Sequence, residues 1–195
     1  MSVQATGGAS VLVLGRSAEV LESLAEALRR DGVAVVHTDS RSQATTLADA
    51  NSDSMETIVV VVDRPLLGAL LRDGPTGASR RQLRTWGNET ADWAITTAIS
   101  AGVRRLVLVC DARGLTFGQR MRAISWLRRL AHRIGYECRI NGADGFATAE
   151  AVIDTNADVD ATAEAVVAWH RDEGTSSNPF SARPPARPPA APAPI

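Results

Sequence analysis

Four short apolar runs set the main constraint on this chain: VLVL at 11–14, VAVVHTD at 33–39, TIVVVVD at 57–63 and RRLVLVC at 104–110. Each is unbroken rather than alternating. A strand with one wet face alternates, whereas consecutive apolar positions need cover on both faces. Helical patterns separate the runs. In the first, Val20, Leu21, Leu24, Ala27 and Leu28 recur at helical spacing, opposite Glu22, Glu26, Arg29 and Arg30. Ser17 is placed to cap this helix, Glu19 stands in its first turn, and Gly32 closes it. The same reading predicts helices over 41–50, 66–71, 90–101, 117–134 and 160–171, and a further strand at ECRI, 137–140. Strands alternating with helices predict an α/β fold with a mostly parallel sheet, whose ligands bind outside the carboxyl ends of the strands.

Composition narrows the chemistry. The chain has 195 residues, 45% hydrophobic and 22% charged, which suits one α/β domain over 11–173. A net charge of −1 gives no electrostatic case for nucleic acid or a membrane surface, and no apolar run is long enough to cross a bilayer. MSVQATGGAS lacks the basic start and apolar centre of a secretory leader, so 1–10 reads as a flexible leader and the expected location is cytoplasmic. Cys110 and Cys138 lie in apolar stretches and are expected to be reduced and buried. All 21 basic residues are arginine. Schiff-base chemistry, a phosphate-binding loop lysine and an ammonium beside a catalytic tyrosine are therefore excluded.

Other constellations carry less. His37, His132 and His170 have no metal-ligand spacing. DTNADVD, 154–160, has a calcium-loop rhythm, but Val159 stands where the loop needs glycine and Ala165 at its twelfth position, so capping by Asp158 or Asp160 is expected. From 174 to 195 the chain is rich in Pro, Ala and Ser and reads as a disordered tail. Its repeated RPPA places Pro185 and Pro188 in a PxxP spacing that a partner groove could take, although a solubilising tail suffices to explain it. The arginines of 117–134 read as a solvated face or as an anion patch.

Three stretches together resemble the short-chain dehydrogenase/reductase superfamily, in its extended and atypical branch. The opening strand–turn–helix is similar to its glycine-rich cofactor loop. NETADWAITTAISAGVRRLVLVCDARG, 88–114, is similar to its Asn-led helix and following strand, and DVDATAEAVVAWHRD, 158–172, to its C-terminal helix. The resemblance implies a truncated Rossmann-like three-layer sandwich of about five to six strands, binding NAD or NADP. It also implies dimerisation through the 90–101 and 117–134 helices, where Trp93 and Trp126 are either interface anchors or core. It places the first loop glycine on Gly15, but the second on Ala18 and the third on Leu21. Cofactor contacts would fall on Gly15, Arg16, Ser17, Asp39, Arg41 and Asp63. Of these, Asp39 would take the ribose hydroxyls and Arg41 a 2′-phosphate; Asp39 and Asp63 serve equally as turn starters.

The catalytic positions depart from the pattern. The family's serine falls on Asp111, and its Tyr-x-x-x-Lys pair on Thr116 and Arg120, or on Phe117 and Met121 one residue later. Neither register supplies a phenol or an ammonium, and the single tyrosine, Tyr136, is expected in a helix-to-strand turn. The expected function is a catalytically inactive relative acting as a binding, regulatory or scaffolding module. Two alternatives stand beside it. One is a working NAD(P)-dependent oxidoreductase or epimerase with Asp111 protonated as the donor. The other is a degenerate receiver-like signalling domain with Asp63 as acceptor, although Gly15 and Arg16 replace the receiver's acidic pair.

Overall fold

The computed structural model of the protein describes residues 9–71, 76–171 and 180. The expected leader, apart from its last two residues, and the expected tail, apart from Phe180, lie outside the described residues. Five strands form one sheet: β1 (Ser10–Leu14), β2 (Ala34–Thr38), β3 (Met55–Val62), β4 (Arg105–Asp111) and β5 (Ala147–Ile153). Their order is β2-β1-β3-β4-β5, and every neighbouring pair is parallel. The helices are α1 (Ala18–Arg30), α2 (Arg41–Ala50), α3 (Arg64–Leu70), α4 (Gly77–Ser100), α5 (Phe117–Ile140) and α6 (Ala157–Arg171).

The unbroken apolar runs are explained by two cores. Successive strand residues point to opposite faces. Leu12, Ile58, Val60, Leu106 and Leu108 pack with α2, α4 and α5, whereas Val11, Val13, Val59, Val107 and Val109 pack with α1 and α6. The result is the α/β three-layer sandwich expected of a truncated Rossmann-like fold. The dinucleotide-binding sheet carries one more strand outside β2. With a single helix, α2, between β2 and β3, that strand has no chain to build it. The order found is also that of flavodoxin-like sheets, in which the topological switch point lies between β1 and β3.

Two predicted elements are corrected. ECRI is not a strand but the last turn of α5. Leu130, Ala131, Ile134 and Cys138 keep the helical period through it and remain buried, so packing on the sheet overrides the strand-like composition. Tyr136 is accordingly an exposed residue within α5 rather than a turn residue. The fifth strand is ATAEAVI, 147–153, built of small residues at the sheet edge. The helix expected over 90–101 begins at Gly77, where Thr76 caps it by accepting the Ser79 N–H at 3.2 Å. Gly87 lies within it facing Trp126 of α5, where a β-carbon would lie 3.4 Å from the indole nitrogen, an ordinary contact.

Asp158 reaches back from the first turn of α6 to accept the Thr155 N–H at 2.8 Å, so DTNADVD is a helix start. Cys110 and Cys138 are free and buried. Burial pushes their thiols up, to about 12 and about 11, with neighbouring carboxylates of Asp111 and Glu137 adding to the effect.

Candidate functional site

The exit of β1 lies at the switch point. Gly15 donates its N–H to the Thr38 carbonyl at 3.1 Å, and its own carbonyl lies 3.1 Å from His37 Nε2. A β-carbon on Gly15 would approach Cβ of Val61 to 2.7 Å. Glycine is thus required here by the closeness of β1 to β3, whatever the loop binds. Ser17 occupies the cap position of α1, but its hydroxyl makes no capping hydrogen bond. The first-turn amides of α1 are left without a side-chain cap.

A cleft of about 310 Å³ opens beside this turn, lined by Gly15, Arg16, Arg41, Asp63, Pro65 and Trp86 among others. Four of the six expected cofactor contacts therefore meet. Asp39 and Ser17 are not among its lining residues, and Asp39 is exposed past the end of β2. Two of the four are already occupied. Asp63 caps α3, accepting the Leu66 N–H at 2.9 Å. Arg41 donates to Glu89 at 2.8 Å and to Thr90 at 3.0 Å while its guanidinium lies over the Trp86 ring. Arg16 is exposed and is the cation of this cleft with no such commitment among the described residues.

The exits of β4 and β5 hold Asp111, Thr116 and Arg120, the positions on which the resemblance would place a serine, a tyrosine and a lysine. Asp111 is 1% exposed and Arg113 5%. Arg113 donates Nε to Oδ1 and Nη2 to Oδ2 of Asp111, and shares Nη1 between Glu19 of α1 and Asn156 ahead of α6, each at 2.8 Å. The Arg113 backbone N–H and Arg64 Nε complete the ring around Asp111, at 3.3 and 3.2 Å. Burial alone would raise the Asp111 pKa. The hydrogen bonds and charge of Arg113 overcome it and hold the carboxyl below its ordinary value, with Arg64 assisting. Asp111 is therefore ionised and fixed, which makes it a poor proton donor and a poor free base.

The other two positions also make structural contacts, although Arg120 Nε and Asp154 Oδ1 are buried with no hydrogen-bond partner among the described residues. Thr116 forms a reciprocal capping box with Gln119 at the start of α5. Arg120 pairs with Asp154 at 3.3 Å and lies against the Phe117 ring. Among the described residues no cluster of His, Cys, Asp and Glu could hold a metal ion.

Sequence reasoning missed Arg113, Glu19 and Asn156 as a set. The sole local signal is Asp-x-Arg at 111–113 directly after a buried strand; the other two partners are remote in sequence. No protein-family model matches the chain, and none of the curated proteins matches it.

Proposed function

We propose that this protein is a non-catalytic, short-chain-dehydrogenase-like binding module of the cytoplasm, whose switch-point cleft takes a phosphate-bearing nucleotide weakly. The observation that carries the reading is the Asp111–Arg113 pair. The place where the resembled enzymes keep a proton-transfer apparatus is filled by a buried ion pair with its hydrogen-bonding capacity spent. The cleft beside Gly15 keeps an uncommitted cation, Arg16, and an uncapped helix start, which favour an anion. The missing glycines at positions 18 and 21 and the internal use of Arg41 and Asp63 argue for low affinity. The long α4 and α5 helices are the surface on which a homodimer or protein partner would form.

Titration of the full chain with NADH and NADPH, followed by calorimetry, tests this. The expected result is weak binding, further weakened by Arg16→Ala, with no consumption of cofactor over a panel of ketones and aldehydes. Steady NAD(P)H-dependent turnover would overturn it. A receiver-like module is the second reading, favoured by the shared strand order and by Asp63 at the exit of β3. It requires a metal-independent intact-mass gain of one phosphate after treatment with acetyl phosphate, lost in Asp63→Asn.

A further inference from the structure

A second cavity lies between the end of α3, the first half of α4 and the first half of α5. It measures about 490 Å³, within the range of small-molecule sites. Leu71, Leu83, Met121 and Trp126 form its apolar walls, and Arg80, Arg122 and Arg129 stand among them, with no carboxylate among the described lining residues. Arg80 and Leu83 share one face of α4 by their three-residue spacing; Arg122, Trp126 and Arg129 do so on α5.

Eight of the described arginines are spent on carboxylates: Arg30, Arg41, Arg64, Arg113, Arg120, Arg128, Arg133 and Arg171 each face one within ion-pair distance. Arg122 is engaged, donating to the Leu71 carbonyl at 3.1 Å. Arg80 and Arg129 have no ion pair or hydrogen bond among the described residues. Two uncommitted guanidinium groups flank an apolar trough in a chain whose net charge is −1.

We propose that this trough binds a small amphipathic anion: an alkyl or aryl body carrying one terminal carboxylate or phosphate. The apolar body lies along Leu83, Met121 and Trp126, and Arg80 and Arg129 take the anionic head, since a guanidinium matches the planar fork of a carboxylate or phosphate. The volume suits a small molecule rather than a docked helix, because a stable protein interface covers a far larger surface. The site shares no described lining residue with the Arg16 cleft, although its Trp126 ring lies 5.4 Å from the Trp86 ring of that cleft; the decyl probes carry no nucleotide, so their binding is read apart from nucleotide binding.

The test is a titration of the full chain, below micelle concentrations, with decanoate, decyl phosphate, decanol and decyltrimethylammonium. Calorimetry and intrinsic tryptophan fluorescence are the readouts. Decanoate or decyl phosphate should bind at least about tenfold more tightly than decanol, with the cation weakest, and the better of the two identifies the head group. Arg80→Ala/Arg129→Ala, two exposed substitutions, should remove that anion preference and leave decanol unchanged. Met121→Glu, which puts a carboxylate into the trough, should abolish decanoate binding. Equal affinity for the anion and the cation, no saturable binding of either anion, or an anion preference that survives the double substitution would each overturn the proposal. The wild-type comparison alone decides the matter if a variant fails to fold.

Discussion

Arg113 grips both carboxylate oxygens of Asp111 from two residues away, Nε on Oδ1 and Nη2 on Oδ2, both at 2.8 Å. The pair is closed off from water, so its members depend on each other. Arg113→Met should cost about 3–5 kcal/mol, because it strands a buried anion. Asp111→Leu/Arg113→Met should be much milder than the sum of the single changes, since an apolar replacement removes both desolvation penalties. Urea unfolding of the four proteins, read by tryptophan fluorescence, measures the coupling.

The same pair fixes the acid limb of stability. The folded-state pKa of Asp111 lies below its ordinary value. Its contribution is therefore complete above the ordinary aspartate range, near about 4, and is lost as pH falls through the folded value. Urea midpoints taken from about pH 5 down to about pH 2 should fall, and the fall should shrink in Arg113→Met.

His170 acts in a second window. Its ring Nδ1 lies 2.9 Å from Thr57 Oγ1 at the start of the sheet. Burial lowers its pKa, with Arg105 acting in the same sense and Glu56 opposing. Below its ordinary value of 6.5 the unfolded chain binds a proton that the folded one resists, so stability declines as pH falls from about 7 toward 5. His170→Asn keeps a polar atom toward Thr57 and should flatten that slope.

Gly15 and Gly68 make opposite predictions. Gly15→Ala places a methyl 2.7 Å from Cβ of Val61 and should destabilise by about 1–3 kcal/mol even with no ligand present. A β-carbon on Gly68 in α3 meets open space, so Gly68→Ala should be neutral or stabilise by up to about 1 kcal/mol. Thermal unfolding of both variants checks this. It also separates the structural demand on Gly15 from any demand made by a cofactor.

The two cysteines should be silent in the native protein. Thiols pushed up to about 12 and about 11 hold almost no thiolate at neutral pH. Ellman's reagent at pH 8 should react with neither until urea is added, and then with both.

The sheet was legible in the sequence wherever a strand needed both faces apolar. TIVVVVD and RRLVLVC have no other economical fate, and their helices followed from spacing. β5 was illegible because an edge strand of Ala, Thr and Glu lacks that signature, while Cys138 and Ile140 lent a helix end the look of a strand. The first half of α4 was hidden by Gly, Ser and Arg, although Leu83, Trp86, Thr90 and Trp93 keep the helical interval. Gly15 was found through resemblance, but its reason, Val61, sits on a strand that only the fold brings close. Arg113 was missed because Glu19 and Asn156 reach it across the whole sheet edge.

The position of β1 between β2 and β3 has a consequence for biosynthesis. No neighbouring pair in this sheet is a hairpin; each closes only after an intervening helix has been made. On the ribosome, β1, α1 and β2 emerge first and pair on one side only. The opposite edge of β1, with Val11, Leu12 and Val13, keeps open backbone groups until Met55–Val62 has cleared the exit tunnel. During that interval the nascent chain carries a sticky apolar strand with no native neighbour, the kind of edge that recruits chaperones or other chains. A translational pause after β2 has emerged but while Met55–Val62 is still in the tunnel should therefore lower the yield of folded protein more than an equal pause after Met55–Val62 has emerged.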